Sequence, residues 1–282
     1  MPATRRYTIN TIGISFLWLC GILTVIVLLL IAGYILFNGL GAINWDFLTQ
    51  PPKDNEKAGG IYPTIVATLY ITIIALVVAT PLSVGGAVYM AEYAKDNYIA
   101  KLVRFGADSL AGIPSIMFGL FGYLLFVYTL GLKFSLISGS LAVAFMVLPI
   151  ILRVSEEAIK VVPETYKHGS LALGSTKWQT IWKVVLPTAL PGIVTGVILG
   201  MGRIVGETAV FLLTTGGVAK VPTSLLDPVR PMTVHAYLLA SENLSLKNAF
   251  GTGATLLLIV LAITLTSNYI TRRYMAKMGG KL

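Results

Sequence analysis

Charge is scarce in this sequence, and the scarcity excludes more than any motif does. Asp, Glu, Lys and Arg make up 12% of 282 residues against 56% hydrophobic, too little polar surface to clothe a soluble globule. Cysteine occurs once, at Cys20, so no internal disulfide can form and nothing is learned about redox compartment. His168 and His235 are the two histidines; neither has a second ligand at metal spacing, and no metal site is expected. A nucleophile elbow, a metal-ligand cluster and a carboxylate pair placed for acid–base work are all missing. Glu156-Glu157 reads as a solvated helix face. The chain is therefore expected to be non-enzymatic. Strict two-residue alternation is also missing, which argues against an outer-membrane barrel.

Long uncharged runs are what the sequence does have. They extend from Tyr7 to Trp45, Ala58 to Ala91, Ser109 to Leu132, Phe134 to Leu152 and Asn248 to Thr271, with a sixth, Val184 to Ala219, broken only by Arg203 and Glu207. A helix needs about 20 apolar residues to cross the ~30 Å hydrocarbon layer. The runs thus predict an all-α membrane protein of about six transmembrane helices, near 13–37, 62–90, 106–130, 136–152, 188–214 and 250–270. Pro81 predicts a kink or tilt in the second. The first run lacks a cleavage site with a polar mature domain behind it, and is read as a retained helix. The expected organisation is a first helix and outer loop over 1–60, a core of five helices over 61–270 with a cytoplasmic loop at 153–187, and a cytoplasmic tail over 271–282.

Orientation follows from the basic residues, because positively charged short loops stay in the cytoplasm. With the amino terminus inside, the inner segments hold Arg5 and Arg6; Lys95, Lys101 and Arg104; Arg153, Lys160, Lys167, Lys177 and Lys183; and Arg272, Arg273, Lys277 and Lys281. The outer segments hold Lys53, Lys57, Lys133, Lys220, Arg230 and Lys247. Both termini are expected in the cytoplasm. The net charge of +9 is accordingly a topology signal; with no single basic stripe, nucleic acid is not an expected partner.

The loop from Arg153 to Pro187 is patterned as two short helices. The first can start at Pro163-Glu164 and stop at Gly174. The second has Thr176 and Gln179 at capping-box spacing, then Trp178, Ile181, Trp182 and Val185 on one face, opposite Lys177, Thr180 and Lys183. Held at the membrane by Leu186-Pro187, it fits a plug for a partner's groove and fits equally an interfacial helix with its tryptophans at the headgroups.

The spacing from Gly174 through nine residues to Val184-Val-Leu-Pro187 resembles the coupling loop of ABC importer permeases. The Glu-Ala-Ala positions of that pattern are here His168, Gly169 and Ser170, a departure from it. Gly112-Ile-Pro-Ser-Ile-Met-Phe-Gly119, Leu173-Gly-Ser-Thr-Lys-Trp-Gln-Thr-Ile181 and Arg203-Ile-Val-Gly-Glu-Thr208 resemble the phosphate-specific permeases, and Pro231-Met-Thr-Val-His-Ala-Tyr237 the PstA type. The resemblance implies a type I importer fold and an inner-membrane location. It implies a heterodimer with a second permease subunit, two ATPase subunits that carry ATP and Mg, and an extracytoplasmic phosphate-binding protein. No cofactor is expected on this chain. ATPase coupling would fall to Gly174, Thr176, Trp178, Gln179, Ile181, Trp182, Leu186 and Pro187. Gly169 to Thr176 mimics a phosphate-binding loop, but Ser175 stands where the lysine belongs, so nucleotide is not expected here.

Arg203 and Glu207 sit one helical turn apart in the fifth span. A lone charge at a helix centre is costly, so both must face protein or water. They read either as an internal ion pair or as a device in which Arg203 attracts an anionic substrate and Glu207 keeps the well shallow. Thr208, Thr214, Thr215 and Ser115 are further candidates for the substrate pathway, although helical hydroxyls often bond only their own backbone. The glycines at 192, 196, 200, 202 and 206 predict close helix packing. The expected function is the permease subunit of an ATP-driven, binding-protein-dependent phosphate importer working by alternating access. The alternatives are a permease for sulfate, molybdate or phosphonate, and a stand-alone secondary transporter or channel.

Overall fold

A computed structural model describes residues 3–54, 58–94 and 97–277, with side chains over 10–54, 58–94 and 97–273. Of the charges that set orientation, Arg5, Arg6, Lys57, Lys95, Lys277 and Lys281 lie outside the described side chains. Helix α1 (Ala3–Gly39) is followed by a short α2 (Trp45–Thr49) and a two-stranded antiparallel hairpin, β1 (Pro52–Lys53) and β2 (Ala58–Gly59). Then come α3 (Tyr62–Val88), α4 (Tyr98–Ala111), α5 (Ser115–Gly122), α6 (Leu136–Lys160), α7 (Glu164–Ala172) and α8 (Lys177–Thr180). The chain ends with α9 (Leu186–Val205), α10 (Ala209–Thr214), α11 (Met232–Ser241) and α12 (Leu246–Lys277). Helix α12 runs through 271–277, so the expected tail begins as helix.

Among the described residues, five stretches are long and apolar enough to cross a bilayer: Asn10–Ala42, Tyr62–Tyr93, Leu136–Lys160, Lys177–Val205 and Leu246–Arg273. Tyr98–Ala111 and Ser115–Thr129 make a sixth if counted together, but they meet at a bend of 104°. The expected straight third span at 106–130 is therefore corrected. Pro114 lacks an N–H and keeps Ile113 out of the helical region, so the chain turns at Gly112-Ile-Pro114. Helix α4 exposes Tyr98, Ile99, Leu102 and Phe105. It is tied to α6 by Arg104 to Glu156 at 2.8 Å and by Asp108 to Arg153. Glu156 is thus a buried ion-pair partner, which it also shares with Lys160 at 2.9 Å, and not the solvated residue expected.

The fifth span differs from expectation at both ends. At its start no separate short helix forms, because α8 passes through a π-helical turn, Ile181–Val185, straight into α9. Pro187 cannot donate to a preceding carbonyl, and the widened turn lets the Leu186 N–H reach the Ile181 carbonyl instead. At its far end the helix stops at Val205, and α10 begins only after Gly206–Thr208.

The core is α3, α6 and α9 packed side by side. A Cβ added at Gly192 would lie 2.4 Å from that of Ala158, and one at Gly200 would lie 2.9 Å from the Ile151 side chain. Gly196 meets Val154 in the same way. The expected close approach is real at these three glycines and missing at Gly202, which has open space around it. Helix α1 keeps its apolar side chains exposed, and near its end it meets α12, with Gly39 against Phe250 and Ala254. At one end of the bundle stands the α7–α8 hairpin. At the opposite end residues 215–231 fold over the start of α6, where the Leu136 and Ile137 N–H groups donate to the Asp227 and Leu225 carbonyls.

Candidate functional site

The break after α9 places a charged pair in an apolar bundle. Arg203 Nη2 lies 3.7 Å from Glu207 Oε2, with the arginine side chain 50% exposed and the glutamate 4%. Gly200, one turn before Arg203, packs on Ile151 and Val147. Val147 is 11 residues into α6, roughly 16 Å along a helix rising 1.5 Å per residue, so the pair sits about halfway through the span. Glu207 has a second task. Its Oε1 accepts the Ala209 N–H at 3.0 Å and the Val210 N–H at 3.3 Å, closing the first turn of α10. One carboxylate therefore serves a guanidinium and a helix start together, and the surplus at the break is positive.

The other pathway candidates separate. Thr208 is half-buried in the break itself. Thr214 and Thr215 are fully buried, their hydroxyls donating at 2.8 Å to the Val210 and Phe211 carbonyls, so both are withdrawn from the expected pathway. Ser115 opens α5 directly after the proline turn and is half-buried. It shares a module with the break, because α5 packs on α10 at Gly119, where an added Cβ would stand 3.0 Å from Val210 Cα.

The coupling candidates also separate. Thr176 and Gln179 form the expected capping box, and Gly174 takes φ +84° at the turn, a conformation glycine adopts without strain. Ile181 is 1% exposed beneath the hairpin and cannot meet a partner, while Leu186 and Pro187 are half-buried within the fifth span. Ile181 is thus a packing residue, while Leu186 also lines the groove that Trp178 and Trp182 form with span two. Thr180 is likewise buried, bonded to Ser170 Oγ at 3.0 Å. Trp178 and Trp182, 59% and 55% exposed, stack edge to face at 5.5 Å. With Pro81, Val84, Tyr89 and Tyr93 they line an apolar groove of about 450 Å³ on span two. Elsewhere on the hairpin, α7 buries no residue and Leu173 is 89% exposed.

Residues 83–279 match a family described as the binding-protein-dependent transport system inner membrane component. The chain belongs to this family. It is similar to the probable ABC transporter permease protein YqgI of Bacillus subtilis (strain 168), 33% identical over 94% of this chain and 96% of the relative. It is also similar to the phosphate transport system permease protein PstA 1 of Mycobacterium tuberculosis (strain ATCC 25618 / H37Rv), 31% identical over 95% and 90%. Among solved structures it matches a chain of a bacterial alginate ABC transporter in complex with an alginate pentasaccharide-bound periplasmic protein. There the TM-score is 0.65 at 16% identity, over 94% of this chain and 96% of that one. The fold is that of a type I ABC importer permease, and the family member is a multi-pass membrane protein.

Sequence reasoning placed Lys167 and Lys177 in the loop but passed over their contact with Glu92. Lys167 Nζ lies 2.7 Å from Glu92 Oε1 and 3.1 Å from Glu164 Oε1. Burial would lower the Lys167 pKa, yet the hydrogen bonds and charges of Glu92 and Glu164 outweigh it and hold the pKa above its usual value. The only visible signal was a carboxylate closing a 34-residue uncharged run from Ala58 to Ala91.

Proposed function

We propose that this permease forms half of the translocation path of an ATP-driven, binding-protein-dependent importer of inorganic phosphate. The observation that carries the reading is Arg203: a half-exposed guanidinium, incompletely neutralised, at a helix break about midway through the bundle. Broken helices at that depth, buried or facing a water-filled cavity, are where transporters place substrate. Arginine's planar fork suits an oxyanion, and Glu207 keeps attraction from becoming a trap. The PstA name of several relatives supports phosphate over other oxyanions.

A second permease subunit would close the path opposite Arg203, and a binding protein would deliver phosphate at the end formed by α2, α11 and residues 215–231. Two ATPase subunits, holding ATP and Mg, would meet the α7–α8 hairpin at the opposite end. Lys160, Lys167 and Lys177 gather there, which supports a cytoplasmic hairpin with both termini on its side. ATP-driven closure would displace α7 and the Leu173 turn, and the bundle would alternate its opening. The test is labelled phosphate uptake by the reconstituted complex with its binding protein. Arg203→Gln is expected to cut uptake about tenfold or more while the ATPase subunits stay bound. Unchanged uptake would leave the pair a structural device and refute the route.

A further inference from the structure

Two lysines of the hairpin converge on one residue of span two. Lys167 Nζ on α7 and Glu92 Oε1 are 2.7 Å apart, their side chains 12% and 9% exposed. Lys177 Nζ, at the start of α8, lies 2.6 Å from the main-chain oxygen of the same Glu92 and 4.2 Å above the Tyr93 ring. Glu92 belongs to the π-helical turn Tyr89–Tyr93 that closes span two. The contacts join positions 75 and 85 residues apart. Helix α7 buries no residue, so polar contacts fix it: Ser170 to Thr180 within the hairpin, and Lys167 to Glu92 outside it. A buried ion pair adds little net stability, because desolvation offsets the attraction. Separating its members is costly, however, and that makes it a stiff link.

We propose that Glu92, gripped by Lys167 and Lys177, is a latch that carries displacement of α7 into span two, so that the hairpin drives that span and not merely its own two. Glu92 is a positioning residue for coupling; it touches neither phosphate nor nucleotide. The inference rests on the hairpin being the ATPase contact. It predicts a loss of coupling distinct from a loss of assembly. Without the latch, ATP hydrolysis continues while span two lags behind.

The experiment uses the whole complex in proteoliposomes with binding protein and phosphate, reading uptake and ATP hydrolysis together. Glu92→Gln keeps the shape and the main-chain contact to Lys177 while removing the charge that faces Lys167, so assembly is retained; phosphate moved per ATP is expected to fall about tenfold. In a Cys20→Ser background, Glu92→Cys with Lys167→Cys is expected to fall similarly. Joining the two thiols with a short bis-methanethiosulfonate linker should restore the ratio, and reductant should abolish it again. Simple packing would not respond to the linker in that way. An unchanged ratio in both variants, or no recovery on linking, overturns the latch. Wild-type complex that fails to take up phosphate at all overturns the proposed function and this inference with it.

Discussion

Replacing Glu207 separates its two roles. In Glu207→Ala the Ala209 and Val210 N–H groups lose their acceptor, and Val210 is fully buried. A lost helix cap costs about 0.5–2 kcal/mol, and each buried unpaired donor about 1–3. Water admitted beside the half-exposed Arg203 relieves part of this, so α10 should lose roughly 2–3 kcal/mol. That is roughly a 30- to 150-fold rise in the opened state of the break. Glu207→Gln keeps an amide oxygen for the same N–H groups and gives up only the charge-assisted part of the bond. Alanine and glutamine give up the charged contact to Arg203 alike, so it does not separate the two variants. The assay is thermal loss of the monodisperse complex on size exclusion, run beside phosphate uptake. Alanine should melt several degrees below wild type and glutamine close to it. Uptake should slow in glutamine as well, since the guanidinium then holds the anion too long. Equal melting of alanine and glutamine would refute the cap. Uptake at the wild-type rate in glutamine would refute the balancing role.

Leu173→Glu on the exposed turn should leave the chain inserted but lose copurification of the ATPase subunits. Trp182→Glu should keep the ATPase bound and still lose ATP-coupled uptake, because it puts a carboxylate into the groove on span two; pull-down and uptake measured together distinguish the two surfaces. Gly192→Ala should cost about 1–3 kcal/mol by overpacking against Ala158, whereas Gly202→Ala, which meets open space, should be neutral in the same melting assay.

Fold class was legible because crossing a bilayer demands a length and a composition that no soluble helix of this chain imitates. The uncharged runs marked spans to within a few residues at Tyr62–Tyr93 and Leu246–Arg273, whereas Leu136–Lys160 runs eight residues past the expected end at 152. They failed where hydropathy and backbone disagree. Gly112-Ile-Pro114 is as apolar as the helix after it, so only the proline's missing donor announced the 104° bend. Conversely Leu186-Pro187 reads as the join between the short helix and a span starting at 188, but a widened turn absorbs the proline and one helix runs through. The pairing of Arg203 with Glu207 followed from spacing alone; the capping task of Glu207 did not, since it depends on a break that Gly206 permits but does not require. Thr214 and Thr215 show the limit for hydroxyls. Their composition suits an oxyanion path, and only burial reveals that their bonding is spent on their own helix.

The two breaks form one device. Helix α5 starts after the first and α10 after the second, and they pack on each other through Gly119. Both are pinned to α6: an added Cβ at Gly122 would lie 2.5 Å from that of Ala142, and one at Gly139 would lie 2.4 Å from Thr215 Cγ2. Arg203, by contrast, stands on α9, whose glycines lock it to a different stretch of α6. The guanidinium and the helix start that share the Glu207 carboxylate thus belong to two separately anchored bodies. A shift of α9 against the α5–α10 module would change how that single negative charge is divided between them. Since α9 is continuous with α8, the hairpin holds one of these bodies directly, and through Glu92 it holds span two, which packs along α6. On the proposed route, a push on α7 would in this way alter the potential met by an anion about halfway across the membrane, with no group on α7 coming near it.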